Sequence, residues 1–317
     1  MRYTLRQIEY FVATAETGSI TLASERVNIS QPSISTAILH LEEHLGTQLF
    51  LRRHAQGLSL TPQGKIVLAE AKKLIEQANH LVTVASETEQ RIRGKISLGC
   101  MSTLAPMIMP ELSHAFTSTF PDTDIVQTVS NHERLLRSLS TAEIDVAILY
   151  DLVIPETVDF IPLASLPVHV VVGEVHPLAS KSAVTLQELA REPLLLLDLP
   201  QSTDYFLNLF VQAGLHPNIA ARSEHQDILR TMAANGYGYT LSNVMPRADT
   251  ALDGRKLVRL RLAGDHRPMV IGIATDRERR KSRLLEAFVE HCRSSISDAY
   301  IPGMIAPGLI RRVRTAS

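Results

Sequence analysis

Residues 19–35 read SITLASERVNISQPSIS, and this stretch decides the fold of the first part of the chain. Its first half predicts a helix, since Ser19 is a suitable N-cap and apolar residues recur at helical spacing: Ile20, Ala23 and Val27. The run Asn28-Ile29-Ser30 then interrupts the pattern. A new helix follows, because Ser30 is a plausible N-cap and Pro32 is tolerated in a first helical turn. The stretch thus predicts two short helices separated by a tight break.

A further helix precedes this pair, and the second helix of the pair continues beyond Ser35. Upstream, Gly18 supplies a stop after a run of apolar residues at helical spacing: Ile8, Phe11, Val12 and Ala15. The helix after the break buries Ile34, Ile38 and Leu41. Its opposite face is either a solvated surface or a set of short groups suited to a DNA major groove: Gln31, Ser33, Ser35, Thr36 and His40.

The same stretch and its continuation resemble the LysR-type transcriptional regulators. The continuation comprises Leu41-Glu42, Leu45-Gly46, Leu49-Phe50, Arg52, Arg53 and Leu60-Thr61-Pro62-Gln63-Gly64. The resemblance implies a winged helix-turn-helix DNA-binding domain over residues 1–60. One departure is that Leu22 and Ser24 flank Ala23, where the family often has paired alanines; we interpret it as a variation in packing.

The DNA-binding residues implied by the resemblance lie on the two short helices, at their caps and in the wing. Arg52 and Arg53 are the candidates for contacts to phosphates or to the minor groove, because a wing can reach the backbone beside a recognition helix. The full set comprises Ser19, Thr21, Ser30, Gln31, Pro32, Ser33, Ser35, Thr36, His40, Arg52 and Arg53.

Charge does not contribute to the case for DNA binding. The chain has 32 Lys and Arg against 33 Asp and Glu, a formal net charge of −1. Residues 1–60 are also balanced, with Arg2, Arg6, Arg26, Arg52 and Arg53 against Glu9, Glu16, Glu25, Glu42 and Glu43. One such module is therefore predicted to bind DNA weakly, so that useful affinity requires several modules joined together.

A linker helix is predicted over residues 61–92, beginning at Thr61-Pro62. Apolar or small residues follow alternating steps of four and three: Val67, Ala71, Leu74, Ala78, Leu81, Ala85 and Thr88. This heptad seam fits a helix pair between two chains, and it also fits one amphipathic helix packed on its own chain. The resemblance favours the pair, because linker helices of the family form antiparallel dimers. Gly94 is predicted to end the helix.

From residue 93 the chain alternates strands and helices, which indicates an α/β domain with a mostly parallel sheet. The resemblance implies a two-lobed, periplasmic-binding-protein-like (type 2) effector-binding domain over residues 93–300. Lobe 1 comprises about 93–163 and 268–300, and lobe 2 comprises about 164–267. Hinges are expected near Pro162–Leu166 and Asp265–Pro268, and a flexible tail is expected over residues 301–317.

Effector-binding candidates follow predicted strands, where ligands of such sheets bind. Ser102-Thr103 and Ser202-Thr203 each precede a helix whose N-terminus favours an anion, so a small carboxylate or similar polar anion is the expected effector. Each of these residues could equally be a helix cap. The remaining candidates are Thr128, Ser130, Asn131 and Tyr205.

Other function classes find less support in the sequence. We find no nucleophile elbow, metal-spaced histidine set or dinucleotide fingerprint, so the chain is expected not to be an enzyme and to need no cofactor or metal. A redox-sensing regulator using Cys100, or a cytoplasmic solute-binding protein, is the alternative; a buried structural thiol is the simpler interpretation of Cys100.

The expected protein is therefore a cytoplasmic, sequence-specific transcriptional regulator. Its expected partners are double-stranded DNA with a roughly palindromic operator, further copies of itself in a homodimer and homotetramer, a small-molecule effector and RNA polymerase. No membrane association is expected, because no apolar run approaches the roughly 20 residues that span a bilayer.

Overall fold

The computed structural model describes residues 3–53, 57–86 and 92–306. The main division between its two compact units falls between residues 91 and 92. In the described ranges, no helix combines the length and the apolar character that crossing a membrane requires.

The first unit opens with three helices whose ends are set by local capping. Thr4 and Ser19 are N-caps with side chains that accept backbone N–H groups, and Gly18 and Asn28 end the first two helices in left-handed conformation, with φ of 63° and 58°. Ser30 precedes the third helix but makes no side-chain capping bond to its backbone. The helices are α1 (Leu5–Thr17), α2 (Ile20–Val27) and α3 (Gln31–Leu45).

A two-stranded wing follows α3 and leads into a long helix. Strands β1 (Phe50–Arg53) and β2 (Gly57–Leu60) pair antiparallel, and the Glu42 carboxylate accepts the backbone N–H groups of Leu49 and Phe50 at 2.6 and 3.1 Å. The Thr61 hydroxyl donates to the Gln48 carbonyl and accepts from the Gly64 N–H. This residue therefore fixes the start of α4 (Pro62–Ser86) against the end of the wing.

The first half of the heptad seam faces the helix-turn-helix of its own chain. Ala71 is buried, and Val67 and Leu74 pack against a core formed by the three helices, with Phe11, Ile34 and Leu49 fully buried. These three positions therefore contribute to the core of their own chain, as the alternative of one amphipathic helix implies. Thr88 lies outside the described residues, as do the side chains of Leu81 and Ala85.

Lobe 1 of the second unit is built on a five-stranded sheet in the order β4-β3-β5-β13-β6. Strands β3, β4 and β5 are parallel, whereas β13 runs antiparallel to both of its neighbours. Gly94 begins β3 with φ +118° rather than ending the linker helix. The elements are β3 (Gly94–Met101), α5 (Ala105–Thr119), β4 (Thr123–Ser130), α6 (His132–Ser140), β5 (Val146–Tyr150), β6 (Val158–Leu166), β13 (Met269–Asp276) and α10 (Arg283–Ser295).

Lobe 2 has a four-stranded sheet in the order β11-β7-β12-β8 and a parallel β9–β10 pair. Hydrogen bonds from the Tyr239 backbone to Pro193 and Leu195 join the two parts. They require close approach at Gly238, where a Cβ would lie 2.1 Å from the Pro193 carbonyl oxygen. The elements are β7 (His169–Gly173), β8 (Ala183–Val184), α7 (Leu186–Leu189), β9 (Pro193–Leu197), α8 (Ser202–Gln212), β10 (Asn218–Ser223), α9 (Gln226–Ala234), β11 (Thr240–Ser242) and β12 (Leu257–Leu262).

The crossings between lobes differ slightly from the sequence prediction. Residues 162–166 are not a hinge but the end of β6, which pairs with β13 through Leu166, so lobe 1 extends to Leu166 and the crossing lies at Pro167. The return crossing lies between β12 and β13, in the region predicted. One continuous core of buried residues includes members of both lobes.

Residues 297–306 form a segment, here called the C-terminal strap, that contacts both lobes. Ile301 and Met304 are 0% and 3% exposed. The Gly303 N–H donates to Glu111 of α5 at 3.0 Å, and the Ile305 N–H donates to the Met245 carbonyl of lobe 2 at 2.8 Å. The prediction of a flexible tail is wrong for residues 301–306, because their apolar side chains complete the core. Residues 307–317, which include the basic Arg311, Arg312 and Arg314, lie outside the described residues.

We expect Ile301→Ala to destabilise the second unit by about 2–5 kcal/mol, the usual cost of emptying a fully buried aliphatic position. Val175→Ala, at a position that is 82% exposed, is the matched control and should have little effect. Urea unfolding of the full chain followed by circular dichroism measures the difference. Equal stabilities of the two variants would mean that the strap does not pack as described.

Candidate functional site

The outer face of α3 and its N-terminus form a polar surface on the first unit. Gln31, Pro32, Ser33, Thr36 and His40 are exposed, and Ser35 is half-buried. By contrast, the apolar face predicted for this helix is buried at Ile34, Ile38 and Leu41. The surface is thus free to meet a ligand as large as a DNA duplex.

Several of the predicted DNA-binding residues also have roles within the chain. The Ser30 and Ser33 hydroxyls hydrogen-bond to each other at 2.8 Å, and His40 Nδ1 lies 3.2 Å from a Glu43 carboxylate oxygen. Ser19 accepts the Leu22 N–H as N-cap, whereas Thr21 is exposed. Arg52 and Arg53 lie on β1, opposite Leu58 and Gly57, but their side chains are outside the described part of the chain.

A small cavity, here called the inner chamber, lies between the two lobes. Its volume is about 10 Å³, room for one water-sized group. Three of its residues come from lobe 1: Thr103, Tyr150 and Met269. The others come from lobe 2: Leu197, Ser202, Phe206, Gln226, Leu241, Ser242, Asn243 and Val244.

The inner chamber is lined by both polar and apolar side chains and contains no charged one. Thr103 Oγ1 and Tyr150 Oη hydrogen-bond at 3.0 Å, and Gln226 Nε2 donates to Ser242 Oγ at 2.5 Å. Burial raises the pKa of the Tyr150 phenol far above its ordinary value, so it stays protonated as a donor. These hydroxyl and amide groups suit a small, hydrogen-bonding part of a ligand.

A larger cavity, here called the outer chamber, adjoins the inner one and shares Thr103, Gln226 and Val244 with it. Its volume is about 280 Å³, near the lower end of ligand pockets. Lobe 1 contributes the loop and first turn at the start of α5, and lobe 2 contributes the start of α9 and the segment after β11. The further lining residues are Ser102, Pro106, Met107, Glu224, His225, Asp227, Arg230, Pro246, Ala248, Thr250 and Leu252.

The structure brings together only some of the predicted effector-binding residues. Ser102, Thr103 and Ser202 line the chambers. Thr203 lies at the start of α8 but not among the lining residues, because its hydroxyl donates to the Leu197 and Leu199 carbonyls. It acts as a structural tie within lobe 2.

Three further candidates, Thr128, Ser130 and Asn131, lie outside both chambers. Ser130 contributes its carbonyl to the Ser102 N–H, and the Asn131 side chain accepts the Arg134 N–H at the start of α6. The sequence correctly placed them at the end of a strand, but β4 is the edge strand of lobe 1, on the far side of β3 from β5.

The last candidate, Tyr205, belongs to the hinge. Its phenol donates to the Arg267 carbonyl at 2.7 Å and accepts from the Asn243 amide at 3.3 Å. The same amide donates to the Leu166 carbonyl at 2.8 Å. Asn243 thereby connects the first crossing to Tyr205 and through it to the second crossing.

Sequence reasoning missed Tyr150, Gln226 and Ser242. Tyr150 ends β5, so the rule that ligands lie at the carboxyl ends of parallel strands could have selected it. Gln226 and Ser242 are 16 residues apart and meet only because α9 and β11 converge. No local pattern marks that meeting.

The thiols and metal-binding groups offer little chemistry. Cys100 and Cys292 are free and fully buried, and burial raises the pKa of each thiol far above its ordinary value; the neighbouring Cys292 adds to the rise at Cys100. Buried protonated thiols are poor nucleophiles. Within the described ranges, no cluster of three or more His, Cys, Asp or Glu side chains could hold a metal ion.

A winged helix-turn-helix joined to a two-lobed α/β domain with a polar cleft defines the class of ligand-responsive DNA-binding regulators. Residues 5–65 match the family model for bacterial regulatory helix-turn-helix proteins of the lysR family, and residues 89–297 match the LysR substrate binding domain. The chain belongs to the LysR family. It is a LysR-type DNA-binding transcriptional regulator with an effector-binding domain, which confirms the predicted fold class.

Individual relatives agree with this assignment. An uncharacterized HTH-type transcriptional regulator of Bacillus subtilis, YvbU, is 32% identical over 81% of this chain and 87% of its own length. The crystal structure of HinK, a LysR family regulator from Pseudomonas aeruginosa, is 34% identical with a TM-score of 0.64, covering 93% of this chain and 99% of that one. A hydrogen peroxide-inducible genes activator of Pectobacterium carotovorum is 29% identical over 75% of this chain and 78% of its own.

A buried histidine at the start of β7, His169, should make the stability of the second unit depend on pH. Burial, with Arg259 and Arg230 nearby, lowers the pKa of His169 to about 3, whereas an unfolded histidine has a pKa of about 6.5. Below pH 6.5 only the unfolded chain gains this proton, so stability falls as the pH falls. Between pH 7.5 and 5.5 the wild type should lose about 1.4 kcal/mol more than His169→Leu.

Urea unfolding of both proteins at the two pH values measures this difference. Other histidines contribute equally to the wild type and the variant, so they cancel. Parallel losses in the two proteins would show that His169 does not remain neutral in the folded state.

Proposed function

We propose that this chain is a sequence-specific regulator that reads an operator with α3 and its flanking caps and changes its grip on DNA when a small effector occupies the cleft. One observation carries the first half of the proposal: the exposed polar face of α3, directly opposite a fully buried apolar face. A helix with this division can enter a major groove while its other side stays in the core.

We assign recognition of the DNA sequence to hydrogen-bonding side chains of α3 rather than to the net charge of the domain. Gln31 can pair with both hydrogen-bonding atoms of an adenine edge, and Ser33 and Thr36 can approach bases or phosphates closely. Arg52 and Arg53 of the wing are proposed to contact the backbone or minor groove. Because the module is electrically balanced, joining several modules supplies the affinity.

Assembly is assigned to the later part of α4. The first half of the heptad seam is used within the chain, at Val67, Ala71 and Leu74. The remaining seam positions, Ala78, Leu81, Ala85 and Thr88, are proposed to contact a second chain; Ile66, on another face of α4, is exposed. A two-fold homodimer predicts a roughly palindromic operator, and two such dimers would form a homotetramer.

Effector control is assigned to the inner and outer chambers. The inner chamber has room for only one water-sized group in this conformation, so a larger ligand requires the lobes to separate at the crossings. A ligand that binds the more open form better shifts the equilibrium between lobe positions. A small carboxylate or similar polar anion is the proposed effector, RNA polymerase a proposed partner and the cytoplasm the proposed compartment. No catalytic activity or cofactor is assigned.

Redox sensing is the alternative, since relatives include hydrogen peroxide-inducible genes activators. Cys100 lies near the end of β3, two residues before Ser102 of the outer chamber. Its burial and the raised pKa of its thiol argue against a reactive role.

We expect Gln31→Ala combined with Ser33→Ala to weaken specific operator binding at least about 10-fold, because each well-formed base contact contributes about 1–3 kcal/mol of discrimination. Gln187→Ala combined with Ser182→Ala removes the same residue types from exposed positions of lobe 2 and should leave DNA affinity unchanged. Fluorescence anisotropy with DNA from upstream of the chain's own gene, against scrambled DNA, measures both. Equal losses on both DNAs would refute base reading by α3.

We expect the thiols of the native full chain to resist a thiol-reactive chromogenic disulfide and to react fully only after unfolding in urea. Cys100→Ser and Cys292→Ser should each remove one reactive thiol from the unfolded chain. Rapid reaction of Cys100 in the native protein, together with a change in operator affinity after peroxide treatment, would support the redox alternative.

A further inference from the structure

The outer chamber contains a buried cation without a partner. Arg230, in the second turn of α9, is 4% exposed and lines the chamber. Its Nη1 is buried and unbonded, and within the described ranges its guanidinium forms no hydrogen bond or ion pair. A buried charge without a partner costs several kcal/mol, so such a group points to a ligand that supplies the missing charge.

A second arginine, Arg259, adds to the positive potential at Arg230. Arg259 of β12 is close enough to lower the pKa of Arg230 after the larger effect of burial, and its own Nε is also buried without a partner. Arg259 Nη2 donates to the Pro246 and Ala248 carbonyls and so holds the chamber wall in place. Arg230, which makes no such bonds within the described residues, is left to bind a ligand. His169 lies within reach of both arginines and is neutral.

Two helices begin in the lining of the outer chamber. Residues at the start of α5, in lobe 1, and of α9, in lobe 2, line the chamber, and neither helix has a side-chain capping hydrogen bond at its N-terminus. Unpaired N–H groups and the positive end of a helix dipole favour an anion. In α5, Pro106 has no N–H and the Met107 N–H donates to the Leu104 carbonyl, so of the two termini the uncapped start of α9 adds to the positive potential of Arg230.

Acidic residues limit which anion fits. Glu224 and Asp227 also line the chamber and are exposed, and the Asp227 charge partly offsets the other effects by raising the pKa of Arg230. Two carboxylates in the lining oppose a ligand of high negative charge. A singly charged carboxylate placed against Arg230 meets the guanidinium with less repulsion than a doubly charged phosphate would.

The two chambers together set the length of the ligand. They share Thr103, Gln226 and Val244, so one molecule can extend from the outer into the inner chamber. The inner chamber presents hydroxyl and amide groups without charge. We infer that the effector is an elongated monocarboxylate, whose carboxylate binds Arg230 and whose neutral hydrogen-bonding end enters the inner chamber. This inference rests on the proposed control by an effector.

Three related compounds test the inference on the full chain: succinamate, which has one carboxylate and one amide, its neutral analogue succinamide and the dianion succinate. Differential scanning fluorimetry at constant ionic strength, with sodium chloride as the baseline, measures the melting temperature. Succinamate should raise the melting temperature of the wild type by about 2–4 °C, and the rise should saturate with concentration. Succinamide and succinate should raise the melting temperature less.

Arg230→Gln should abolish the succinamate shift while the ligand-free variant melts no lower than the wild type, because the change removes an unpaired buried charge. If the role of Arg230 were merely structural, the Arg230→Gln variant would melt at a lower temperature than the wild type without ligand and would still show the succinamate shift. Arg230→Lys should weaken succinamate binding about 10-fold, since lysine lacks the planar fork. Arg261→Gln removes the same charge from an exposed position of lobe 2 and should retain the full shift.

The inference is overturned if Arg230→Gln responds like the wild type, if succinamide or succinate matches succinamate, or if none of the three compounds shifts the wild type. A response to succinamide that survives in Arg230→Gln would leave effector control intact while rejecting the carboxylate. Conversely, binding of succinamate through Arg230 without any change in operator affinity would uphold this site and reject its role in regulation.

Discussion

The side-chain amide of Asn243 donates to the Leu166 carbonyl where the chain leaves lobe 1, and to the Tyr205 phenol. That phenol in turn donates to the Arg267 carbonyl, where the chain returns. Both crossings are thus joined through one buried amide. The separation of the lobes depends on this connection, and with it the size of both chambers between them.

The same constraint explains how a nearly filled cleft can belong to a ligand receptor. Core packing leaves little free volume, and the inner chamber has room for only one water-sized group. The strap adds a second connection between the lobes, through Glu111 on one side and Met245 on the other. A ligand that separates the lobes must therefore break the hydrogen bonds at the crossings and at the strap, besides contacts in the core that the lobes share.

Buried charge distinguishes the two chambers. In the inner one, Thr103 pairs with Tyr150 and Gln226 with Ser242, whereas the buried Asn243 Oδ1 has no hydrogen-bond partner within the described residues. The outer one leaves Arg230 unpaired. Proteins generally pair or hydrogen-bond buried charges, so an exception beside a cavity has the character of a functional site rather than of a packing feature.

The sequence by itself determined the elements and the family. Helical periodicity, the Ser19 cap and the breaks at Gly18 and Asn28 act within a few residues, so α1 to α3 could be predicted, and the alternation of strands and helices indicated the α/β class of the second unit. Tertiary structure alone decided which side chains meet. Tyr150 of β5, Gln226 of α9 and Ser242 of β11 come from separate elements, Val67 and Leu74 face their own chain, and Ile301 is buried despite its Gly- and Pro-rich surroundings. Local propensity depends on neighbours in sequence, whereas burial and pairing of charge depend on neighbours in space.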